Sequence, residues 1–243
     1  MDGKSAIRYS RNQGALSPQE QEQLLTASAL VIGCGGLGGY VIEELTRIGV
    51  GQITVWDGDS FEESNLNRQL LSLNTNLGTR KAEAAAMRIA AINPAIKVEV
   101  IDRFFTGTAD DQQIIARHQV VIDALDTVSS RLALAECCRE MAVTLVHGAV
   151  GGWWGQVAVI RPGDFTLENI YLEVSANKGC EQTLGCLVMA VATVASLETA
   201  EAVKFLLGRP GLASGQLLLV DMLNSALQMV EVSPRLDTPE DAQ

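Results

Sequence analysis

Residues 28–59 read SALVIGCGGLGGYVIEELTRIGVGQITVWDGD, and this stretch decides the fold. A short apolar run, Ser28 to Ile32, enters the turn Gly33-Cys34-Gly35-Gly36-Leu37-Gly38 and then a helical pattern. GQITVWDGD follows as a second strand that ends in acidic residues. Strand, G-x-G-x-x-G, helix and strand in that order form the local signature of a nucleotide-binding unit. One glycine permits the tight turn, another lets the backbone approach a phosphate, and a third lets helix and strand pack closely. The helix N-terminus adds exposed N–H groups and a partial positive charge, which suit an anion. Gly33, Gly35, Gly36 and Gly38 are therefore nucleotide-site candidates. Asp57 stands at the end of the next strand, where a carboxylate can accept from ribose hydroxyls.

Outward from this unit the alternation continues. GTRKAEAAAMRIAAI, residues 78–92, is alanine-rich and reads as a helix that Asn93-Pro94 stops. KVEVID, VVIDALD and VTLVHGAV read as strands, with the helices DDQQIIARH and SSRLALAECCREMA between them. The pattern predicts an α/β, Rossmann-like fold: a mostly parallel sheet with helices on both faces and ligands at the carboxyl ends of its strands. WWGQVAVI reads as a further strand, and residues 161–185 form an irregular crossover without periodicity. A long helix spans about residues 186–207, ended by Gly208 and Pro210. QLLLVDML and LQMVEVSP are two late strands, expected as an antiparallel extension. No repeat or Gly/Ser linker interrupts the chain. The reading is a single domain over 1–234 and an acidic tail at 235–243.

The chain's 243 residues suffice to bury a core without disulfides or structural metal. Hydrophobic residues at 47% and charged residues at 19% exclude a disordered chain. The net charge of −11 argues against a nucleic-acid or anionic-membrane surface. Five cysteines without a C-x-x-C pair argue against a secreted disulfide framework and a tetrahedral zinc site. The N-terminal stretch MDGKSAIRYSRNQG has no apolar signal core, and the longest apolar run, Cys186 to Ala195, is about half a membrane span. The expectation is a soluble, cytoplasmic protein.

The glycine turn alone leaves the nucleotide open, with NAD-dependent hydride transfer as the default. Asp57, Asp59, Asn65, Arg68 and Gln69 fall within thirteen residues, and Lys81 follows at the start of a helix. Asn65, Arg68 and Lys81 supply a hydrogen-bond donor and two cations, more than a dinucleotide requires. A triphosphate needs them, because charge builds on its oxygens as bonds break. A solvated charged loop explains Arg68 or Lys81 singly as well as a site does. Asp123 and Asp126 end VVIDALD as hard oxygen ligands that suit Mg²⁺. Asp123 by itself reads better as a cap on the next segment.

These residues carry a resemblance. The chain resembles the adenylating enzymes of the MoeB/ThiF/HesA type, relatives of ubiquitin-activating enzymes. The matching stretches are R-Y-S-R, G-C-G-G-L-G, D-G-D-x6-L-N-R-Q, G-x-x-K-A, I-N-P, V-V-I-D-A-L-D with Arg131 after it, G-Q-V-A-V-I, and A-S-L-E-T-A-E-A-V-K-F-L-L-G. They run in order from about residue 8 to 232. The resemblance implies adenylation by Mg-ATP of the C-terminal glycine carboxylate of a small ubiquitin-like sulfur carrier ending in Gly-Gly. Pyrophosphate is released, and sulfur transfer then gives a thiocarboxylate of the kind used in molybdopterin, thiamin or similar sulfur chemistry, with a separate sulfur donor left open as a further partner. Carried over, Gly35 and Gly36 lie against the nucleotide, Asp57 holds the ribose, and Asn65, Arg68 and Lys81 bind phosphates. Asp126 coordinates Mg²⁺, and Arg11 reaches the phosphates from the partner subunit of a homodimer. The chemistry agrees: a carboxylate nucleophile is ionised at neutral pH and needs positioning and charge screening, not a general base.

The chain also departs from that pattern. Many members bind a structural zinc through two C-x-x-C pairs. Here the late region reads N-K-G-C-E-Q-T-L-G-C-L-V-M and the earlier pair is absent, so zinc is not expected. Cys180 sits about where some members carry a cysteine for acyl or sulfur relay; an incidental semi-exposed thiol is the competing reading. Cys186, Cys137 and Cys138 read as packing residues, and Cys34 as backbone of the turn. His118 reads as a surface residue at a helix end, His147 as structural. Trp153-Trp154 reads as a carrier or subunit contact, or equally as a half-buried pair beside a strand. Three further readings stand beside the main one: a different carboxylate acceptor, on a peptide or modified tRNA; an NAD-dependent oxidoreductase; and a non-catalytic dimeric scaffold.

Overall fold

A computed structural model describes residues 7–172 and 181–232. Its centre is an eight-stranded sheet in the order β3-β2-β1-β4-β5-β6-β7-β8. The strands are β1 (Ser28–Ile32), β2 (Gln52–Trp56), β3 (Lys97–Ile101), β4 (Val120–Asp123), β5 (Thr144–Gly151), β6 (Trp154–Ile160), β7 (Gln216–Asp221) and β8 (Ala226–Glu231). The first five pair in parallel, with Ile32 beside Trp56 and Asp123, and Asp123 beside His147. From β5 onward each pairing is antiparallel. This is the Rossmann-like sheet with a late antiparallel extension that the alternation predicts.

The inner strands are continuous apolar runs because both sheet faces are covered. Successive side chains alternate between two cores. Ala29, Val31, Ile122 and Val146 enter one, under the helices α2 (Gly36–Ile48), α3 (Lys81–Ile92) and α8 (Val188–Leu206). Leu30, Ile32, Val121 and Leu145 enter the other, under α4 (Ala109–Ile115), α5 (Val128–Glu140) and α6 (Thr166–Tyr171). α8 lies tightly on the sheet because two strand glycines leave room for it. A Cβ at Gly155 would come 2.2 Å from Val194 Cγ2, and one at Gly148 would come 2.2 Å from the Glu198 carboxyl carbon.

Several boundaries depart from the periodicity. The alanine-rich helix starts at Lys81, not residue 78, because Gly78 is left-handed (φ 81°) and Arg80 bridges Ser60. The long helix starts at Val188, since Cys186 is held extended in a bridge to Gly152. Residues 161–185 contain α6 and the short α7 (Glu181–Leu184) where only irregular chain is expected. α1 (Pro18–Thr26) has a clear signal in Ser17-Pro-Gln-Glu20: Ser17 Oγ accepts from the Glu20 N–H at 3.2 Å, and Glu20 Oε2 accepts from the Ser17 N–H at 2.8 Å. Ahead of α1, Tyr9 of R-Y-S-R is buried against Gly49, and its hydroxyl accepts from Asn93 Nδ2 at 2.8 Å. The R-Y-S-R and I-N-P stretches therefore meet in space. Among the described residues no helix is long and apolar enough to cross a membrane.

Candidate active site

The sheet's connections run one way from β1 to β2 and β3, and the other way to β4 and β5. The resulting crevice opens between the carboxyl ends of β1 and β4, where such sheets bind ligands. There the Ala124 N–H donates to the Ile32 carbonyl at 2.9 Å, drawing the β4 exit over the glycine turn. Gly33 has φ 101°, and a Cβ on it would come 2.4 Å from the Ala124 carbonyl oxygen. A Cβ on Gly38 would come 1.8 Å from the Gly33 carbonyl oxygen. The first and last glycines thus serve the turn and the helix–strand contact. Gly36 opens α2 on the cavity side.

Two clefts share the wall Ala124-Leu125-Asp126. The larger, about 450 Å³, is lined by Gly36, Arg68, Gln69, Asp126, Arg131 and Cys186, among others. The smaller, about 120 Å³, lies over Gly33 and is lined by Asp57, Asp59, Lys81, Arg103 and Phe104, with Asp126 at the junction. Together they form a groove that has cations in both parts and the exposed Asp126 carboxylate on the wall they share.

Asp57 is locked: Oδ2 accepts from the Cys34 N–H at 2.7 Å, and Oδ1 from the Asp59 N–H at 2.7 Å. It ties the glycine turn to the β2 exit as well as facing the smaller cleft. Lys81 is buried and pairs with Asp59 at 3.2 Å. Arg68 Nη1 donates to the Ser64 carbonyl at 2.9 Å and to Asn67 Oδ1 at 3.0 Å. The Gln69 amide lies beside Gly35, and its Oε1 is buried with no hydrogen-bond partner among the described residues. An acceptor left unmatched beside the cavity suits a ligand donor.

Asn65 does not face either cleft: its Oδ1 accepts from the Glu62 N–H at 3.0 Å and holds the turn that carries Arg68. Arg11 is exposed and lines neither cleft. Cys180 lies outside the described residues. Cys186, expected as core, is half-buried on the cleft wall while also packing against the core edge. Burial pushes the Cys34, Cys137 and Cys138 thiols up, so these three are packing groups.

His118 corrects its surface reading. It is buried, with Nε2 at 2.7 Å from Thr54 Oγ1, because the turn after α4 aims the ring under the sheet; burial lowers its pKa. His147 is structural as expected, fully buried and 2.7 Å from Asp123. Asp123 is no exposed ligand, since Oδ1 instead accepts from the Leu125 N–H at 3.0 Å. Trp153 and Trp154 are both partly exposed.

Sequence reasoning did not place Arg103 and Phe104. They follow β3 with no motif, and β2–β3 pairing brings them to the groove. The Trp56 indole N–H donates to the Arg103 carbonyl at 2.7 Å, while the Arg103 guanidinium lies 4.5 Å from the Trp56 ring centroid. In the sequence Arg131 stands out only as part of a motif. Its position is set by two donations to the Leu125 carbonyl, at 3.0 and 2.7 Å.

The fold and groove define a doubly wound α/β protein with a phosphate-type turn and a cation-lined crevice. The chain belongs to the ThiF family, whose model matches residues 9–239. It is 32% identical to the SAMP-activating enzyme E1 of Haloferax volcanii, over 98% of this chain and 90% of that protein. It is 34% identical to the molybdopterin-synthase adenylyltransferase of Escherichia coli, over 84% of this chain and 82% of that protein. Among solved structures, E. coli tRNA N6-threonylcarbamoyladenosine dehydratase in complex with AMP is similar, with a TM-score of 0.72 and 26% identity, covering 85% of this chain and 97% of that one. By family and by these relatives it is an enzyme of the MoeB/ThiF adenylyltransferase type.

Proposed function

We propose that the protein binds Mg-ATP in the joined clefts and adenylates the C-terminal glycine carboxylate of a small ubiquitin-like sulfur carrier. The observation that carries this reading is the shared Asp126 wall, with Lys81 and Arg103 on one side and Arg68 and Arg131 on the other. A carrier oxygen attacks the α-phosphorus, the bond to the β-phosphate oxygen breaks, and pyrophosphate leaves with that electron pair. The step needs charge compensation and alignment. Asp57 at the smaller cleft is suited to the ribose, and the N-terminus of α2 with Arg68 and Lys81 is suited to the phosphates.

The residues present fit a magnesium ion. Asp126 is an exposed carboxylate on the wall both clefts share, and Mg²⁺ is held by one or two carboxylates plus substrate phosphates. Bound there through Asp126, it would neutralise phosphate charge. Arg11 belongs to this proposal as a contribution from the second subunit of a homodimer, and Cys180 as a relay thiol.

ATP–pyrophosphate exchange with Mg²⁺, measured with and without carriers ending in Gly-Gly, tests the proposal. Carrier-dependent exchange supports it. ATP binding without exchange for any such carrier would move the acceptor to another carboxylate, on a peptide or a modified nucleoside. NAD binding without ATP binding would overturn the nucleotide assignment. Normal thiocarboxylate formation by Cys180→Ser would remove that thiol from the reaction.

A further inference from the structure

Behind the groove lies a group of buried polar side chains, of which Arg131 also lines the larger cleft while Asp123, His147 and Tyr171 have no part in substrate binding or catalysis as described. Asp123 and His147 are fully buried and Arg131 nearly so. Their contacts form a ring. His147 Nδ1 lies 2.7 Å from Asp123 Oδ2. His147 Nε2 lies 3.3 Å from the Tyr171 hydroxyl and 3.2 Å from Gln156 Nε2. The Tyr171 hydroxyl accepts from Arg131 Nη1 at 2.8 Å. Arg131 Nε and Nη2 donate to the Leu125 carbonyl, and the Leu125 N–H donates back to Asp123 Oδ1 at 3.0 Å.

One proton arrangement closes this ring. Asp123 is acceptor-only, so His147 carries its proton on Nδ1 and accepts on Nε2. Gln156 Nε2 can only donate, and it does so to the Tyr171 hydroxyl at 3.3 Å; Tyr171 gives its single proton to the one lone pair of His147 Nε2 while accepting from Gln156 and Arg131. Burial lowers the His147 pKa, which keeps the ring neutral as this arrangement requires. The residues come from four separate elements, β4, β5, α5 and α6, and from the loop after β4. They converge on the backbone of one residue, Leu125, and grip both its N–H and its carbonyl. That residue immediately precedes Asp126. The ring also fixes Arg131, whose side chain lines the larger cleft.

We infer that the ring Asp123–His147–Tyr171–Arg131–Leu125 is a positioning device that holds Asp126 and Arg131 in register with the nucleotide, and that His147 and Tyr171 are positioning residues for catalysis. A polar ring closed on itself in a low-dielectric interior is rigid only while every member is paired. Loss of one hydroxyl should loosen the loop it grips without emptying the core.

The kinetic half of this inference rests on the adenylation proposal; the structural half does not. Tyr171→Phe keeps the ring's shape and removes the hydroxyl that joins His147 to Arg131. His147→Gln is the second variant, removing the imidazole while keeping a neutral side chain. Hydrogen exchange by mass spectrometry on the full chain, without nucleotide, reads the loop directly. Peptides covering 124–131 should exchange about tenfold faster in each variant than in wild type, while peptides from β1 and β2 stay unchanged. In ATP–pyrophosphate exchange with a Gly-Gly carrier, kcat should fall about tenfold with the KM for ATP within about twofold, as for an interaction used in the transition state. Unchanged exchange at 124–131 overturns the inference whatever the activity. Faster exchange there with unaltered kcat overturns the positioning role. Faster exchange there with no activity in wild type upholds the grip on the loop and sinks the adenylation proposal instead.

Discussion

Glu198 offers the sharpest test of the energetics. It sits on α8 facing β5, wholly buried, and neither carboxyl oxygen has a hydrogen-bond partner among the described residues. Its carboxyl carbon lies against Gly148, only 2.2 Å from where a Cβ there would stand. Burial first, then the nearby Asp123 carboxylate, pushes its pKa well above the ordinary value of 4.5, with Arg131 opposing. Burial of a carboxyl without a partner favours the neutral acid in the fold. A raised folded pKa gives a stability contribution that is complete below the unfolded value and is lost as pH rises. The loss is about 1.4 kcal/mol per pH unit while the folded group stays protonated. Glu198→Gln is neutral at every pH and removes this slope. Between pH 5 and pH 7 the variant should gain on wild type, at most by about 1.4 kcal/mol per pH unit, and its Tm should rise relative to wild type accordingly. The amide's own fit adds an offset independent of pH, so the divergence of the curves is the test. Thermal unfolding of both proteins at pH 5, 6 and 7 measures it. Parallel curves would refute the reasoning, because they would mean that Glu198 ionises in the fold as freely as in the unfolded chain.

Asp126→Ala and Arg68→Ala should each lower ATP–pyrophosphate exchange by about a hundredfold or more while far-UV circular dichroism stays that of wild type; near-normal rates with a correct spectrum would remove these residues from the site. Gly38→Ala would bring a methyl 1.8 Å from the Gly33 carbonyl oxygen. It should cost ~3 kcal/mol or more in urea unfolding, and full stability would contradict the tight helix–strand contact. Tyr9→Phe removes the acceptor of the Asn93 side chain and should cost about 1 kcal/mol, with faster proteolytic cleavage ahead of α1; an unchanged cleavage rate would show that the hydroxyl does not anchor that segment.

Much of the fold is legible because the backbone leaves little choice at the glycine turn. Gly33 and Gly38 are dictated by atoms 2.4 and 1.8 Å from where a Cβ would stand, so G-x-G-x-x-G carries real geometry. The inner strands are legible because burial on both faces leaves uninterrupted apolar runs. What periodicity cannot see is short or distant. α6 and α7 are six and four residues long, too short to repeat. His118 turns inward because a hydroxyl waits on a neighbouring strand, at Thr54. Arg103 and Phe104 reach the groove only through the pairing of β2 with β3. Asn65 stands among charged residues whose pattern suggests phosphate binding, whereas its side chain closes the turn that presents Arg68. The residues of the buried ring are spread from 123 to 171, and no local pattern joins them.

A protein with a net charge of −11 that takes up a nucleoside triphosphate must solve an electrostatic problem locally. At physiological ionic strength the general field is screened beyond about 8 Å, so distant acids neither repel ATP strongly nor steer a carrier. The groove's cations act within that range, and each is held by a different kind of partner. Arg68 is held by a carbonyl and an amide oxygen, and Arg131 by a carbonyl and a hydroxyl. Such neutral acceptors orient a guanidinium without cancelling its charge. Arg103, paired with the buried Asp111 at 2.6 Å, and Lys81, paired with Asp59, are the exceptions, but in the second pair the lysine is buried and the aspartate side chain is 57% exposed. The movable member of that pair is the acid, so a phosphate can displace Asp59 while the ammonium stays where α3 places it. The cations are thus fixed before any anion arrives, and the ordering of long side chains that would otherwise oppose binding is already met by the fold.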